Sequence, residues 1–276
     1  MDSPPEDYSA QQSAPAAGRN QLPVAVLPNR DHAQELAWDF ATAQQREIYG
    51  FDSLDPRSRA FNLIRGKLLE LVATKQWRLF GAVSATPNVG KSFVTANVAA
   101  ALSRDPRVET CVVDLDLRRG SLTDTFGINP DGGIWDYLEG GVASPSGYVL
   151  ERERLLIMPT KAGRARSAEL LAGDRAQALL RAMRASNQQT LYLVDLPPVF
   201  ANDDASTVLG RLDAYILVVE EGRTTQREIN DTVSLLGPTR LAGVVLNKYR
   251  EGVMSEGYGI HSDYAAGYAV NETVNS

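Results

Sequence analysis

Cysteine occurs once in the 276 residues, as Cys111, which excludes a disulfide framework within the chain. Its place in the apolar run TCVVD marks a buried structural thiol and fits a reducing compartment. Long hydrophobic runs are missing as well. Nothing approaches the roughly 18 to 20 apolar residues that span a bilayer, so direct membrane insertion is not expected. The opening MDSPPEDYSAQQSAPAAGRN has acidic side chains and prolines where a secretory signal has a basic end and an apolar core. A cytoplasmic location is therefore expected, with any recruitment to the inner face of the plasma membrane requiring a partner. Positive charge is also in deficit: 28 Lys and Arg face 34 Asp and Glu, a net charge of −6. Gripping nucleic acid takes clustered basic residues, so nucleic acid is not an expected partner. No internal repeat occurs.

What the chain does have is 43% hydrophobic residues, enough for one sizeable core with an appendage. Residues 1–22, rich in Pro, Ala, Ser and Gln, have the composition of a disordered tail. Residues 23–75 read as a helical extension, from HAQELAWDFATAQQREIYG to DPRSRAFNLIRGKLLELVATKQ. In the second of these, Phe61, Ile64, Leu68 and Leu71 form a stripe at three- and four-residue spacing that a core would cover. Residues 76–250 then alternate short apolar runs (RLFGAVSA, ETCVVDLD, RLLIMPT, TLYLVDLP, AYILVVEEG, LAGVVLNK) with helical stretches. Strands apolar on both faces, alternating with helices, predict an α/β fold: a three-layer sandwich with a mainly parallel central sheet and helices on both faces. Ligands bind such sheets at the carboxyl ends of the strands. Residues 251–276 have little apolar periodicity and read as a flexible tail.

Between the first of those strands and the helix after it stands Ala85-Thr86-Pro87-Asn88-Val89-Gly90-Lys91-Ser92. It fits the phosphate-loop pattern G-x-x-x-x-G-K-[ST] except that Ala85 replaces the first glycine. Backbone N–H groups of such a loop surround phosphate oxygens, the helix dipole favours their charge, and the lysine adds a cation. A methyl group is tolerated at Ala85 if the backbone there needs no positive φ. Two further strand ends carry carboxylates, Asp114 and Asp116 in CVVDLDLRRGSL and Asp195 in LYLVDLPP. Either run alone would be a solvated edge charge. With a phosphate loop on a third strand, they make the set that holds Mg2+ and orients an attacking group.

The loop, the D-x-D-x-R-R strand end and the apolar-apolar-D-x-P-P strand end together resemble the three Walker-type motifs of the bacterial tyrosine kinases. These are the autokinases of capsular and exopolysaccharide biosynthesis, related to partitioning and septum-site ATPases. The resemblance runs from about Asp55 to Arg250. It implies an ATP-dependent protein tyrosine autokinase with ATP and Mg2+ as cofactors. It further implies that Thr86 through Phe93, Arg118 and Asn247 contact the nucleotide, Asn247 at the adenine. Lys91 would bind phosphates, and Ser92, Asp114 and Asp195 would surround the metal. Asp114 would orient or deprotonate the tyrosine, with Asp116 and Arg118 assisting.

Four of the ten tyrosines, Tyr249, Tyr258, Tyr264 and Tyr268, fall in the last 28 residues. The resemblance makes such a cluster the phosphoacceptor, presented to a neighbouring subunit of a homo-oligomer, with Tyr249 the best suited of the four to a structural role. It also implies a separate membrane-bound activator of the polysaccharide co-polymerase kind. Where the family carries E-x-x-R-x-x-R for oligomerisation, this chain has Arg59, Asn62 and Arg65. Two alternatives stand beside the kinase: a MinD- or ParA-like nucleotide switch, whose loop lysine is replaced here by Thr86, and a non-catalytic nucleotide-binding subunit of the same polysaccharide system.

Overall fold

The computed structural model describes residues 24–249 apart from 152, 164, 165, 202 and 203. The expected tails, and with them Tyr258, Tyr264 and Tyr268, lie outside those residues. In chain order the elements are β1 (Gln34–Leu36), α1 (Phe40–Gln45), α2 (Arg59–Lys75), β2 (Leu79–Ser84), α3 (Lys91–Ser103) and β3 (Glu109–Asp114). There follow α4 (Ser121–Phe126), α5 (Ile134–Glu139), β4 (Tyr148–Leu150), β5 (Leu155–Met158), α6 (Ser167–Ala172) and α7 (Asp174–Ala185). The last are β6 (Thr190–Asp195), α8 (Asp204–Leu209), β7 (Ala214–Glu220), α9 (Gln226–Leu236) and β8 (Leu241–Asn247).

Among the described residues, eight strands form one sheet in the order β1-β4-β5-β3-β6-β2-β7-β8. Every pairing is parallel except β4 with β5. Because side chains alternate across a strand, each central strand feeds two cores. Tyr192, Val194, Tyr215 and Leu217 meet α5 to α9 on one face, while Leu191, Leu193, Ile216 and Val218 meet α2, α3 and α4 on the other. The three-layer α/β sandwich is thus as expected.

Helix α3 is the most deeply placed. Ala96 and Ala99 to Ala101 are fully buried, and side chains this small let the sheet approach on one side and α2 on the other. Phe61, Leu68 and Leu71 of the α2 stripe are buried there, Ile64 only partly. The helix stops at Gln76, whose left-handed backbone (φ +56°) lets its N–H donate to Val72 O at 3.0 Å. One expectation is corrected in this region: the stretch read as a helical extension, residues 23–75, is not all helical among its described residues. Gln34–Leu36 pairs as a strand with β4, and α1 is six residues long. A three-residue edge strand whose residues are mostly exposed has no apolar signature to read.

The sheet order decides where the motifs meet. Strands β3, β6 and β2 are consecutive neighbours, and each ends in one motif. Asp114 pairs directly with Asp195, and Asp195 with Ala82. Motifs separated by tens of residues in sequence therefore lie within two strand spacings, each about 4.8 Å.

Candidate active site

The phosphate loop leaves β2 at Ser84, whose hydroxyl donates to Thr86 O at 3.0 Å and tightens the turn. Ala85 is buried and is not among the residues with positive φ, so the methyl group costs nothing there. The left-handed positions are Asn88 (φ +67°) and Gly90 (φ +86°). Asparagine is among the few side chains that adopt this region readily, which explains how the loop does without a glycine at 88. A Cβ at Gly90 would lie 2.1 Å from Nδ2 of Asn247 and would force that side chain to move.

Lys91 opens α3 and is almost fully buried. Its Nζ lies 2.6 Å from Asp195 Oδ1 and 3.7 Å from Asp116 Oδ2. Ser92 Oγ donates to the other oxygen of Asp195 at 2.6 Å, and Thr95 Oγ1, one turn on, donates to Oδ1 at 3.1 Å. A hydroxyl and a carboxylate oxygen at that separation are the hard oxygen donors Mg2+ prefers when nucleotide phosphates complete its shell. No group of three His, Cys, Asp or Glu side chains with metal-binding geometry occurs among the described residues.

Asp114 has a different environment. It is fully buried, and its two oxygens accept the backbone N–H groups of Asp116 (3.1 Å) and Leu122 (3.0 Å). Burial and the adjacent Asp195 charge push its carboxyl well above the ordinary range, against the pull of Lys91. Burial also raises Asp116, with Lys91 opposing. Asp116 borders a cavity of about 230 Å3 together with Asn88, Gly90, Lys91, Ser92 and Arg119. A larger cavity, about 350 Å3, opens among Arg30, Glu109, Arg154 and Tyr192 at the amino ends of β3 and β6. No motif residue borders it, so chemistry rather than size identifies the site.

Of the residues singled out in the sequence, Asn88, Gly90, Lys91, Ser92, Phe93 and Asp116 border the smaller cavity. Asp195 lies directly behind Lys91 and Ser92, and Val89 is buried beneath the loop. Thr86 and Pro87 are half-buried in its first half. Arg118 turns elsewhere: its Nε donates to Ser167 Oγ at 2.9 Å and to Asp204 Oδ2 at 3.3 Å. The arginine at the cavity is Arg119, which donates to Asn88 Oδ1 at 2.6 Å. Both were visible in the RR pair, and only the direction of each side chain was not. Thr95 and Lys248 had no motif to mark them, although Thr95 stands one helical turn beyond Lys91, on the same face. Asn247 donates to Val89 O at 2.8 Å, and Tyr249 is exposed just beyond β8.

No protein-family model matches the chain. It is 31% identical over 242 residues to EpsB of Ralstonia solanacearum, which bears a tyrosine-protein kinase name; the match covers 85% of this chain and 32% of EpsB. It is 32% identical over 202 residues to the succinoglycan biosynthesis transport protein ExoP of Rhizobium meliloti, covering 70% of this chain and 25% of ExoP. The chain thus spans about a third of one relative and a quarter of the other. Among solved structures, the kinase domain of the Escherichia coli tyrosine kinase ETK superposes with a TM-score of 0.62 at 25% identity, over 76% of this chain and 84% of that one. With three motifs gathered at the carboxyl ends of adjacent central strands, and with these likenesses, the chain belongs to the bacterial tyrosine kinase family.

Proposed function

We propose that the chain is an ATP-dependent protein tyrosine autokinase acting in exopolysaccharide or capsule synthesis and export. The observation that carries this reading is the meeting of Lys91, Ser92, Asp116 and Asp195 at the carboxyl ends of three adjacent strands. Loop N–H groups and the α3 amino terminus receive the phosphates, and Lys91 exchanges its contact with Asp195 for phosphate oxygens. Ser92 and Asp195 would hold Mg2+, which when bound would supply charge neutralisation of the phosphoryl group being transferred. Asp116, the carboxylate that borders the cavity, accepts the proton of the attacking tyrosine hydroxyl. Its upward shift makes it a stronger base for a donor whose own pKa is near 10. Asp114 keeps the turn after β3 in place through its two backbone bonds. Arg119 stands at the cavity to meet phosphate charge.

The acceptors in this reading are Tyr258, Tyr264 and Tyr268, with Tyr249 the fourth candidate. A separate membrane-bound co-polymerase recruits the chain to the inner face of the membrane. No helix among the described residues is long and apolar enough to cross a membrane.

One observation favours a second reading, a nucleotide-binding regulatory subunit without transfer between subunits. Two of the three side chains at the oligomerisation positions are engaged within the chain: Arg104 donates to Asn62, and Arg65 lies 3.7 Å from Asp105. Intact-mass and anti-phosphotyrosine analysis with ATP and Mg2+ separates the two. Phosphate on wild-type protein, absent from Lys91→Met and from a chain truncated after Arg250, supports the kinase. Nucleotide binding with no modified tyrosine, even with a candidate activator present, supports the subunit.

A further inference from the structure

Two consecutive carbonyl oxygens of the phosphate loop are held from one direction. Asn247 Nδ2 donates to Val89 O at 2.8 Å, and Lys248 Nζ donates to Asn88 O at 2.7 Å. Lys248 is itself anchored by Glu220 Oε1 at 3.1 Å. In a planar trans peptide the C=O and N–H of one unit point in opposite directions. Holding the Asn88 and Val89 oxygens toward β8 therefore aims the N–H groups of Val89 and Gly90 away from it. In the sheet order β3-β6-β2-β7-β8, away from β8 is toward β6 and β3, where Lys91, Asp116 and Arg119 border the cavity. Neither N–H has a protein acceptor among the described residues. A cation on a carbonyl also polarises its peptide unit and strengthens the N–H on the far side as a donor.

Lys248 pays for this position in backbone strain, with φ at +55° where a non-glycine residue is uncommon. A simple surface ion pair with Glu220 would not need its ammonium on a loop carbonyl 160 residues away.

We propose that Lys248, anchored by Glu220, is a positioning residue that aims the loop N–H groups at the phosphates of the nucleotide. This rests on the nucleotide-binding reading above. It also gives the strand end next to Tyr249 a direct hold on the phosphate cradle.

The test is calorimetric titration of the full chain with Mg-ADP and with Mg-pyrophosphate. Lys248→Met should weaken both by roughly tenfold, the worth of one charged hydrogen bond, because the groups it misaims touch phosphate and not base. Lys248→Arg, which can still donate to both Asn88 O and Glu220, should stay within about threefold of wild type, and Glu220→Gln should fall between the two. Lys248→Met binding both probes within about twofold of wild type overturns the proposal. Should Lys248→Met fail to fold, Glu220→Gln decides, unchanged affinity overturning the proposal and weakened affinity for both probes supporting it. A wild type that binds neither probe instead removes the nucleotide reading on which the proposal stands.

Discussion

Replacing Lys91 with methionine keeps the side-chain volume and removes the ammonium that neutralises the buried Asp195 and Asp116. The ammonium is 2.6 Å from Asp195 and 3.7 Å from Asp116, with side-chain exposures of 6% for the lysine, 0% for Asp195 and 3% for Asp116. Removing one member of a buried pair leaves an uncompensated charge, which costs about 3 kcal/mol. In a domain of this size that corresponds to a fall in Tm of about 6 to 12 °C. The cost depends on pH. Asp114 and Asp116 already titrate above the ordinary carboxylate value of 3.8, and loss of the Lys91 charge raises them further. Carboxylates raised in the folded state contribute stability at low pH that is lost as pH climbs through the folded values. The gap between wild type and variant should therefore be widest near pH 8 and close as pH falls toward 4. Each additional proton retained by the folded variant contributes about 1.4 kcal/mol per pH unit over that window. Urea unfolding of nucleotide-free protein at several pH values measures this. A gap under about 1 kcal/mol at pH 8, or one that does not change with pH, would refute the account of Lys91 as the neutralising charge of a buried carboxylate cluster.

Three further outcomes are expected. Gly90→Ala should cost about 1 to 2 kcal/mol through its left-handed φ and should displace Asn247, so nucleotide affinity falls with stability in the same titration and melt. Leu68→Ala, at the buried centre of the α2 stripe, should cost about 2 to 5 kcal/mol by thermal denaturation, whereas Leu63→Ala on the exposed face should fall within about 0.5 kcal/mol of wild type. Cys111 is fully buried, and burial pushes its thiol far above its ordinary value. An aromatic disulfide reagent should therefore label it at the rate of unfolding and not before; rapid labelling of folded protein would contradict its placement.

The parts of this molecule readable from sequence are those set by composition within a strand. β2, β3, β5, β6 and β7 announce themselves because a strand covered on both faces is apolar throughout, and β8, an edge strand with Val244 and Leu246 exposed, through its apolar composition alone. β1 and β4 do not, being three residues long at or near an edge. The phosphate loop and the strand-end aspartates were legible because their chemistry demands particular residue types at fixed spacing. Which aspartate faces the cavity was not legible. Asp114 and Asp116 are two residues apart, but β3 ends at Asp114, and beyond it strand periodicity no longer governs where a side chain points. The same holds for Arg118 and Arg119. Lys248 could not have been found at all from the text, since its meaning comes from a contact with Asn88 across the sheet order. Asn88 occupies a position that the loop pattern leaves open, and its left-handed backbone is one that asparagine adopts readily.

The sheet also divides the molecule into two ends with different tolerance for alteration. Every motif lies where strands finish, whereas the turn at Asn187–Gln189, exposed throughout, lies where β6 begins. The chain could be cut, circularly joined or fitted with a fluorescent insertion at that turn while the chemistry at the far rim kept its geometry. Two fragments meeting there would bring Lys91 on one piece to Asp195 on the other, so reconstitution of the halves would itself report assembly of the site.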